Sequence, residues 1–206
     1  MKIISWNLLH RFGATLDQIK RLIVLERPDL LLMQEATDLI DPLPSEIGGH
    51  YVRNALPGRR HGLAAWSPLP LRHPPTTLAL QSGMIVRRLC QIIDLGDFTV
   101  ANVHLSHGQL LNRRQLRHIS RMLPTRAAIL GDCNLLGPSL LPGFRDVGPR
   151  QPTHAAGAIL PLRIDRCFVR GLQCEGAGTF DWGASDHRPI VVHLALLVQA
   201  DRRHSA

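Results

Sequence analysis

Lysine is almost missing from this 206-residue chain. Of its 24 basic residues only Lys2 and Lys20 are lysines; the rest are arginines, and with 16 acids the formal net charge is +8. A planar guanidinium matches phosphate oxygens in pairs, so a phosphate-bearing polyanion is one reading of the surplus; arginine-rich codon usage is the other, and charge alone does not choose between them. Long apolar runs are missing too. None approaches the roughly 20 residues that cross a bilayer as a helix, and no apolar hairpin or basic amphipathic anchor stands out. The four cysteines, Cys90, Cys133, Cys167 and Cys174, lie far apart without C-x-x-C spacing, which argues against a disulfide framework and against a Cys/His zinc module. "MKIISWNLLH" passes from one Lys straight into strand-like residues, without an apolar leader core or a small-residue cleavage site. Together with the scattered cysteines this predicts a cytoplasmic protein.

What is present is a globular composition, 45% hydrophobic and 19% charged, in a length at which about 70% of the unfolded surface can be buried. No repeat, linker or low-complexity segment divides it, so one domain over residues 1–206 is expected. "KIISW" reads as a strand. Thr15 and Gln18 form a capping box ahead of Leu16, Ile19, Leu22 and Ile23, spaced for one helical face. "DLLLMQEA" is a continuous apolar run, the pattern of a strand covered on both faces. "GLAAWS", "MIVRRLCQIIDLG" and "FTVANVHLS" follow as strands, the last two joined by a hairpin at Gly96-Asp97. A second helix is expected over Asn112 to Met122, with Leu116, Ile119 and Leu123 inward and Arg113, Arg117 and Arg121 outward. "AAILGD", "LRIDRCFV" and "PIVVHLALL" complete the strands, and the Pro- and Gly-rich stretch from Leu135 to Gly157 is expected to lie as a loop over the site. Many strands and few helices predict an α+β fold with two packed, mainly antiparallel mixed sheets and helices outside.

The polar exceptions carry the chemistry. Strand-like runs end on Asn7, Glu35, His104, Asp132 and Asn134, Asp165 lies inside "RID", and Asp186 and His187 precede "PIVV". Singly each has a dull explanation: a turn residue, a helix-start charge, a core histidine bonded to backbone. Collectively they point to one cleft, because a buried carboxylate is costly unless it is paired or binds a cation. Glu35 is the best candidate metal ligand. Mg²⁺ takes oxygen ligands in an octahedron and commonly uses only one or two carboxylates.

The segments "SWNL", "QEA", "NVHLS", "GDCN", "RIDRCFV" and "SDHRPI", running in this order from Ser5 to Ile190, resemble the endonuclease/exonuclease/phosphatase superfamily, which includes deoxyribonuclease I, exonuclease III, bacterial sphingomyelinases and inositol polyphosphate 5-phosphatases. The resemblance implies a four-layered α/β/β/α sandwich and a Mg²⁺- or Mn²⁺-dependent phosphoesterase. It implies that Asp132 orients or deprotonates the attacking water, that Asn7 and Asn134 help hold metal, water or phosphate, and that Asp165 hydrogen-bonds His187. His187 then faces the phosphate, and Asp186 is an acid on the metal or water side. His104 belongs to the "HL" wording of the deoxyribonuclease-, sphingomyelinase- and 5-phosphatase-like branches. Exonuclease III-like abasic-site enzymes usually lack it and tend to carry an aromatic near Leu162 and a Tyr where this chain has Arg166.

Hydrolysis of phosphodiester bonds in DNA or RNA by in-line attack of water is therefore the leading expectation, with nucleic acid as substrate. A phospholipid or phosphoinositide hydrolase and a non-catalytic phosphate-binding module are the alternatives. Arg87, Arg88, Arg113, Arg114 and Arg117 are candidates for a phosphate-binding surface, Arg87 and Arg114 foremost. Trp182, close to Asp186, is a candidate for contact with a base or ring.

Overall fold

The computed structural model describes residues 1–82, 87–156, 160–181 and 183–197. The chain runs through β1 (Lys2–Asn7), α1 (Leu16–Glu26), β2 (Leu30–Ala36), α2 (Leu43–Ile47), β3 (His50–Ala55), β4 (Gly62–Ser67), β5 (Thr76–Ala79), β6 (Leu89–Asp94) and β7 (Thr99–His104). It continues through α3 (Gln109–Met122), β8 (Ala127–Asp132), β9 (Arg145–Asp146), β10 (His154–Ala156), β11 (Leu160–Leu162), β12 (Asp165–Arg170), β13 (Leu172–Thr179) and β14 (Ile190–Leu196). One six-stranded sheet has the order β13-β14-β1-β2-β4-β3, the other β5-β6-β7-β8-β12-β9, and β10 and β11 form a separate hairpin. Only β1 with β2 and β7 with β8 run parallel; the other neighbours are antiparallel.

Alternation along each strand divides the apolar residues between layers. Ile3, Leu30 and Leu32 meet Val100, Leu130 and Val169 between the sheets. Ile4, Leu31 and Met33 face the other way, onto Ile19 and Ile23 of α1 and Leu43 of α2. On the far side, Leu116 and Ile119 of α3 cover Val103, Ile129 and Phe168. The result is the four-layered α/β/β/α sandwich, and it explains why β1, β2 and β8 read as unbroken apolar runs. Among the described residues no helix is long and apolar enough to cross a membrane.

The capping box forms as the sequence predicts: Gln18 N donates to Thr15 Oγ1 at 3.3 Å, and Thr15 N to Gln18 Oε1 at 3.1 Å. The Gly96 turn also forms, with φ 87° at Gly96 and its N–H donating to Asp94 Oδ1 at 2.8 Å. Helix α3 starts at Gln109, three residues ahead of the expected Asn112, because Gly108 supplies an extended cap without a side chain. "LRIDRCFV" is two elements: Leu162 ends β11, and β12 starts at Asp165. The stretch expected as a loop over the site contains β9 and β10, which at two and three residues are too short to show alternation. Residues 84–86 of "MIVRRLCQIIDLG" and Trp182 lie outside the described residues.

Candidate active site

Register brings the polar strand ends together. Across β7, β8 and β12, His104 pairs with Asp132 and Asp132 with Asp165, so one sheet delivers three functional groups side by side. Close approach of β7 and β8 here requires Gly131, which has φ 139° and where a Cβ would sit 2.0 Å from Val103 O. The other sheet delivers Asn7 at the end of β1 and Glu35 near the end of β2. Glu35 occupies the left-handed region (φ 56°), at the irregularity between Met33 and Ala36 where β2 slips against β4. For a side chain with a Cβ this conformation is strained, and such strain is characteristic of positions that aim a group at a site.

The segment before β14 is tied down on β1. Trp6 Nε1 donates to His187 O at 2.9 Å, Ser185 Oγ to Asn7 O at 2.6 Å, and His187 N to Ser185 Oγ at 3.1 Å. Thr153 Oγ1 accepts from Ile164 N and Asp165 N at 3.1 and 3.0 Å, setting the start of β12. These bonds place His187 Nδ1 2.8 Å from Asp165 Oδ2, with Nε2 3.8 Å from Asp132 Oδ2 and 3.9 Å from Asp186 Oδ1. Asn7 Nδ2 donates to Asp132 Oδ2 at 2.9 Å, and His104 Nε2 lies 3.3 Å from the same oxygen. His104 Nδ1 lies 3.9 Å from Glu35 Oε1. Asn7, Glu35, His104, Asp132, Asn134, Asp186 and His187 thus share one cleft of about 370 Å³, and Asp165 stands behind His187, 2% exposed.

Asn134 reaches the cleft from beyond the strand rather than as its terminal residue. The strand ends at Asp132, and Asn134 turns into the left-handed region (φ 48°), donating its backbone N–H to Asp132 Oδ1 at 3.0 Å and its Nδ2 to Leu105 O at 3.0 Å. Arg87 and Arg114 are exposed and line no part of the cleft, whereas Arg88 is buried in a crevice with Glu35, His61 and His104. The surplus arginine is partly structural: Arg113 donates to Leu136 O and Pro138 O, and Arg166 to Asp146, Leu135 O and Gly137 O, together bracing the loop that walls the cleft.

The structure adds residues absent from the sequence-based set. His10 donates its backbone N–H to Glu35 Oε2 at 3.1 Å, contacts the same oxygen through Nδ1 and stacks on His61. His107, Gln109 and His154 line the cleft. Isolated histidines in polar turns have no periodicity or spacing to betray them; "HLSH" and "PTHAAG" were the only signals.

Electrostatics separates the groups. Burial pulls His187 down, but the charges of Asp165 and Asp132 outweigh it and hold the imidazole at about 10, protonated at neutral pH. Burial raises Asp132 to about 6, against the opposing charge of His187. Burial keeps His104 neutral, well below the ordinary histidine value. Glu35 is pushed up by burial, yet its bonds to His10 prevail and leave it below its ordinary value. The cleft thus combines one cationic and one neutral histidine with carboxylates of different basicity.

A divalent cation fits the donors. Among the described residues nothing hydrogen-bonds to the buried Asp186 Oδ1 and nothing donates to Glu35 Oε1. Glu35, Asp186 and Asn7 all line the cleft and on that side offer hard oxygens, the ligand type of Mg²⁺ and Mn²⁺.

Two mixed sheets packed face to face, with an acid- and histidine-lined cleft at one edge, define a phosphoesterase fold. The chain belongs to the Endonuclease/Exonuclease/phosphatase family, whose profile matches residues 4–187. No curated protein matches the sequence. Among solved structures, an endonuclease/exonuclease/phosphatase from Bacteroides vulgatus is similar at TM-score 0.77 and 16% identity, covering 95% of this chain and 98% of that one. The mannosyl-6-phosphatase Bt3783 of Bacteroides thetaiotaomicron is similar at TM-score 0.75 and 16% identity, covering 95% and 100%. D. rerio TDP2, solved with a single-strand DNA product, is similar at TM-score 0.74 and 14% identity, covering 95% and 98%.

Proposed function

We propose that this protein is a Mg²⁺- or Mn²⁺-dependent hydrolase of phosphodiester bonds in DNA or RNA. The observation that carries the reading is the buried Asp165–His187 pair directed at Asp132 and Asn7, in the same cleft as Glu35 and Asp186. Asp165 fixes the His187 ring by accepting from Nδ1, so that Nε2–H meets a phosphoryl oxygen and offsets charge that grows in the transition state. Asp132, which receives the Asn7 and Asn134 hydrogen bonds, orients the attacking water and accepts its proton. His104, neutral and 3.3 Å from Asp132, fixes the rotamer of that carboxylate from the other side. Glu35, Asp186 and Asn7 would hold the divalent ion, which supplies Lewis-acid stabilisation of the phosphoryl and departing oxygens. Arg87 and Arg114, exposed beyond the cleft, would contact the substrate only through a longer polyanion.

The similarity to a TDP2 structure containing single-strand DNA product supports the choice of nucleic acid. A small phosphate ester is the second reading. A cleft of about 370 Å³ lies near the lower end of small-molecule pockets, and a mannosyl-6-phosphatase is among the similar structures. The deciding assay incubates the protein with plasmid, single-stranded DNA and RNA, sugar phosphates, sphingomyelin and phosphoinositides, each with Mg²⁺ or Mn²⁺ and with chelator. Metal-dependent cleavage of a nucleic acid is expected; turnover confined to sugar phosphates or lipids would replace the nuclease assignment.

A further inference from the structure

The His154 imidazole lines the cleft and has no part in the proposed hydrolysis. His154 opens β10 and is held against the Asp186–His187 segment by backbone: Ala155 N donates to Asp186 O at 3.0 Å and Arg188 N to Thr153 O at 2.8 Å, with His154 and His187 bridged as strand partners. Its Nε2 lies 3.4 Å from Asp186 Oδ2, and its ring centroid lies 4.5 Å from that of His187. Among the described residues, neither His154 Nδ1 nor Asp186 Oδ1, both buried, has a hydrogen-bond partner. The open Asp186 oxygen lies 3.9 Å from His187 Nε2, and a buried acceptor left without a partner signals a ligand that satisfies it.

The chemistry of these groups differs from that on the Glu35 side. His187 donates Nδ1–H to Asp165, the outer-sphere arrangement that orients metal-binding histidines, and its Nε2 is turned to the cleft. Ligand atoms of His154, Asp186 and His187 all lie within 4.8 Å of one another. A tetrahedral zinc ion with bonds of about 2.0–2.1 Å spaces its ligands about 3.4 Å apart. His154 Nε2 already lies at that distance from Asp186 Oδ2, and His187 Nε2 lies 3.9 Å from the other oxygen of the same carboxylate, Oδ1. Two imidazoles and one carboxylate with a fourth position open to the cleft favour zinc over magnesium, which binds oxygen and sheds water reluctantly.

We propose that His154, Asp186 and His187 form a site for zinc or a similar borderline transition-metal ion, and that occupying it inhibits the enzyme. Zinc bonds to the lone pair of His187 Nε2, and the proton carried there leaves to solvent. With Nε2 committed to the metal, no N–H remains for the phosphoryl oxygen. Asp186 is also withdrawn from the Mg²⁺ side. The inhibition rests on the hydrolytic function proposed above; the binding site does not.

The test uses the full chain, freed of metal by chelator and then dialysed. Co²⁺ is the spectroscopic probe and Zn²⁺ the calorimetric one, applied to the wild type, His154→Gln and His154→Phe, with Mg²⁺ titrated in parallel. The wild type should give the intense visible absorption of tetrahedral Co²⁺. Both variants should lose that band and bind Zn²⁺ at least 10-fold more weakly, with Mg²⁺ affinity within about 2-fold of wild type. In Mg²⁺-supported cleavage, each protein scaled to its own uninhibited rate, the Zn²⁺ concentration for half-inhibition should rise at least 10-fold in the variants. A weak octahedral Co²⁺ spectrum in the wild type, or unchanged Zn²⁺ affinity in both variants, overturns the site. Lost binding with undiminished inhibition overturns the inhibitory role alone. A protein that cleaves no phosphoester but still binds Co²⁺ tetrahedrally through His154 keeps the site and loses the hydrolytic reading.

Discussion

The polar cluster between the sheets and the one at the cleft are built on opposite terms. Between the sheets, Gln34, Gln91 and Asn102 are fully buried neutral amides. Gln34 Nε2 donates to Asn102 Oδ1 at 2.7 Å and to Ser5 Oγ at 3.0 Å; Asn102 Nδ2 donates to Ala64 O and to Gln91 Oε1; Gln91 Nε2 donates to Asn54 Oδ1 at 2.8 Å. Of their side-chain polar atoms only Gln34 Oε1 has no partner. At the cleft, by contrast, the groups are ionisable, their proton affinities are shifted in several directions, and Asp186 Oδ1 and His154 Nδ1 are left open. A satisfied neutral network fixes how the two sheets sit on each other. An incompletely satisfied charged one is poised for something that arrives, because the cost of its open atoms is recovered only on binding.

The largest expected effect separates the two clusters by activity. His187→Ala and Asp132→Asn should each lower turnover by about 10³-fold or more with the thermal transition still cooperative, and activity within a few-fold of wild type in both would break the role assignments. The amide cluster should respond in the other currency. Asn102→Ala removes the donors to Met33 O, Ala64 O and Gln91 Oε1 and the acceptor of one of the two Gln34 Nε2 hydrogen bonds, so urea unfolding should show a loss of about 2–4 kcal/mol, while the folded fraction keeps its specific activity. A third test uses pH. The folded-state value of His187 is raised to about 10 from an ordinary 6.5, so its contribution to stability is complete below about pH 6.5 and is lost as pH rises through about 10. In chelator, wild type should therefore lose more thermal stability between pH 7 and 10 than His187→Gln does, whereas Asn102→Ala should follow the wild-type slope; parallel curves for wild type and His187→Gln would contradict the charged state assigned here. The smallest effect belongs to Arg114, exposed on α3. Arg114→Ala should change stability by no more than about 0.5 kcal/mol and should weaken only the binding of long polyanions, in a salt-dependent way.

The same comparison explains what the amino-acid sequence reveals. Strands whose two faces are both covered, such as β2 and β8, announce themselves as apolar runs, and the acids and amides that end them stand out for that reason. β13, "LQCEGAGT", does not: Gly176 and Gly178 and its half-buried polar residues read as turn material, and only its long antiparallel pairing with β14 makes it a strand. β3, "HYVRNA", is likewise an edge strand with no fully buried face. Asn7, Glu35, His104, Asp132, Asp165, Asp186 and His187 were legible because each interrupts or borders an apolar pattern. His10 and His107, in turns, and His154, at the start of the three-residue β10, were not, because their placement at the cleft depends on contacts from distant parts of the chain. Asn134 was found for an incomplete reason: its backbone leaves the strand, and its N–H serves Asp132 more directly than its side chain does.

The central claim is that the open carboxylates at the cleft gather around one divalent ion. Mn²⁺ titrated into the metal-free protein and followed by the loss of its free-ion electron paramagnetic resonance signal tests that claim without depending on substrate. Wild type should take up Mn²⁺ saturably and Glu35→Gln should bind it at least 10-fold more weakly while melting at a similar temperature; equal uptake by the two proteins would contradict the account.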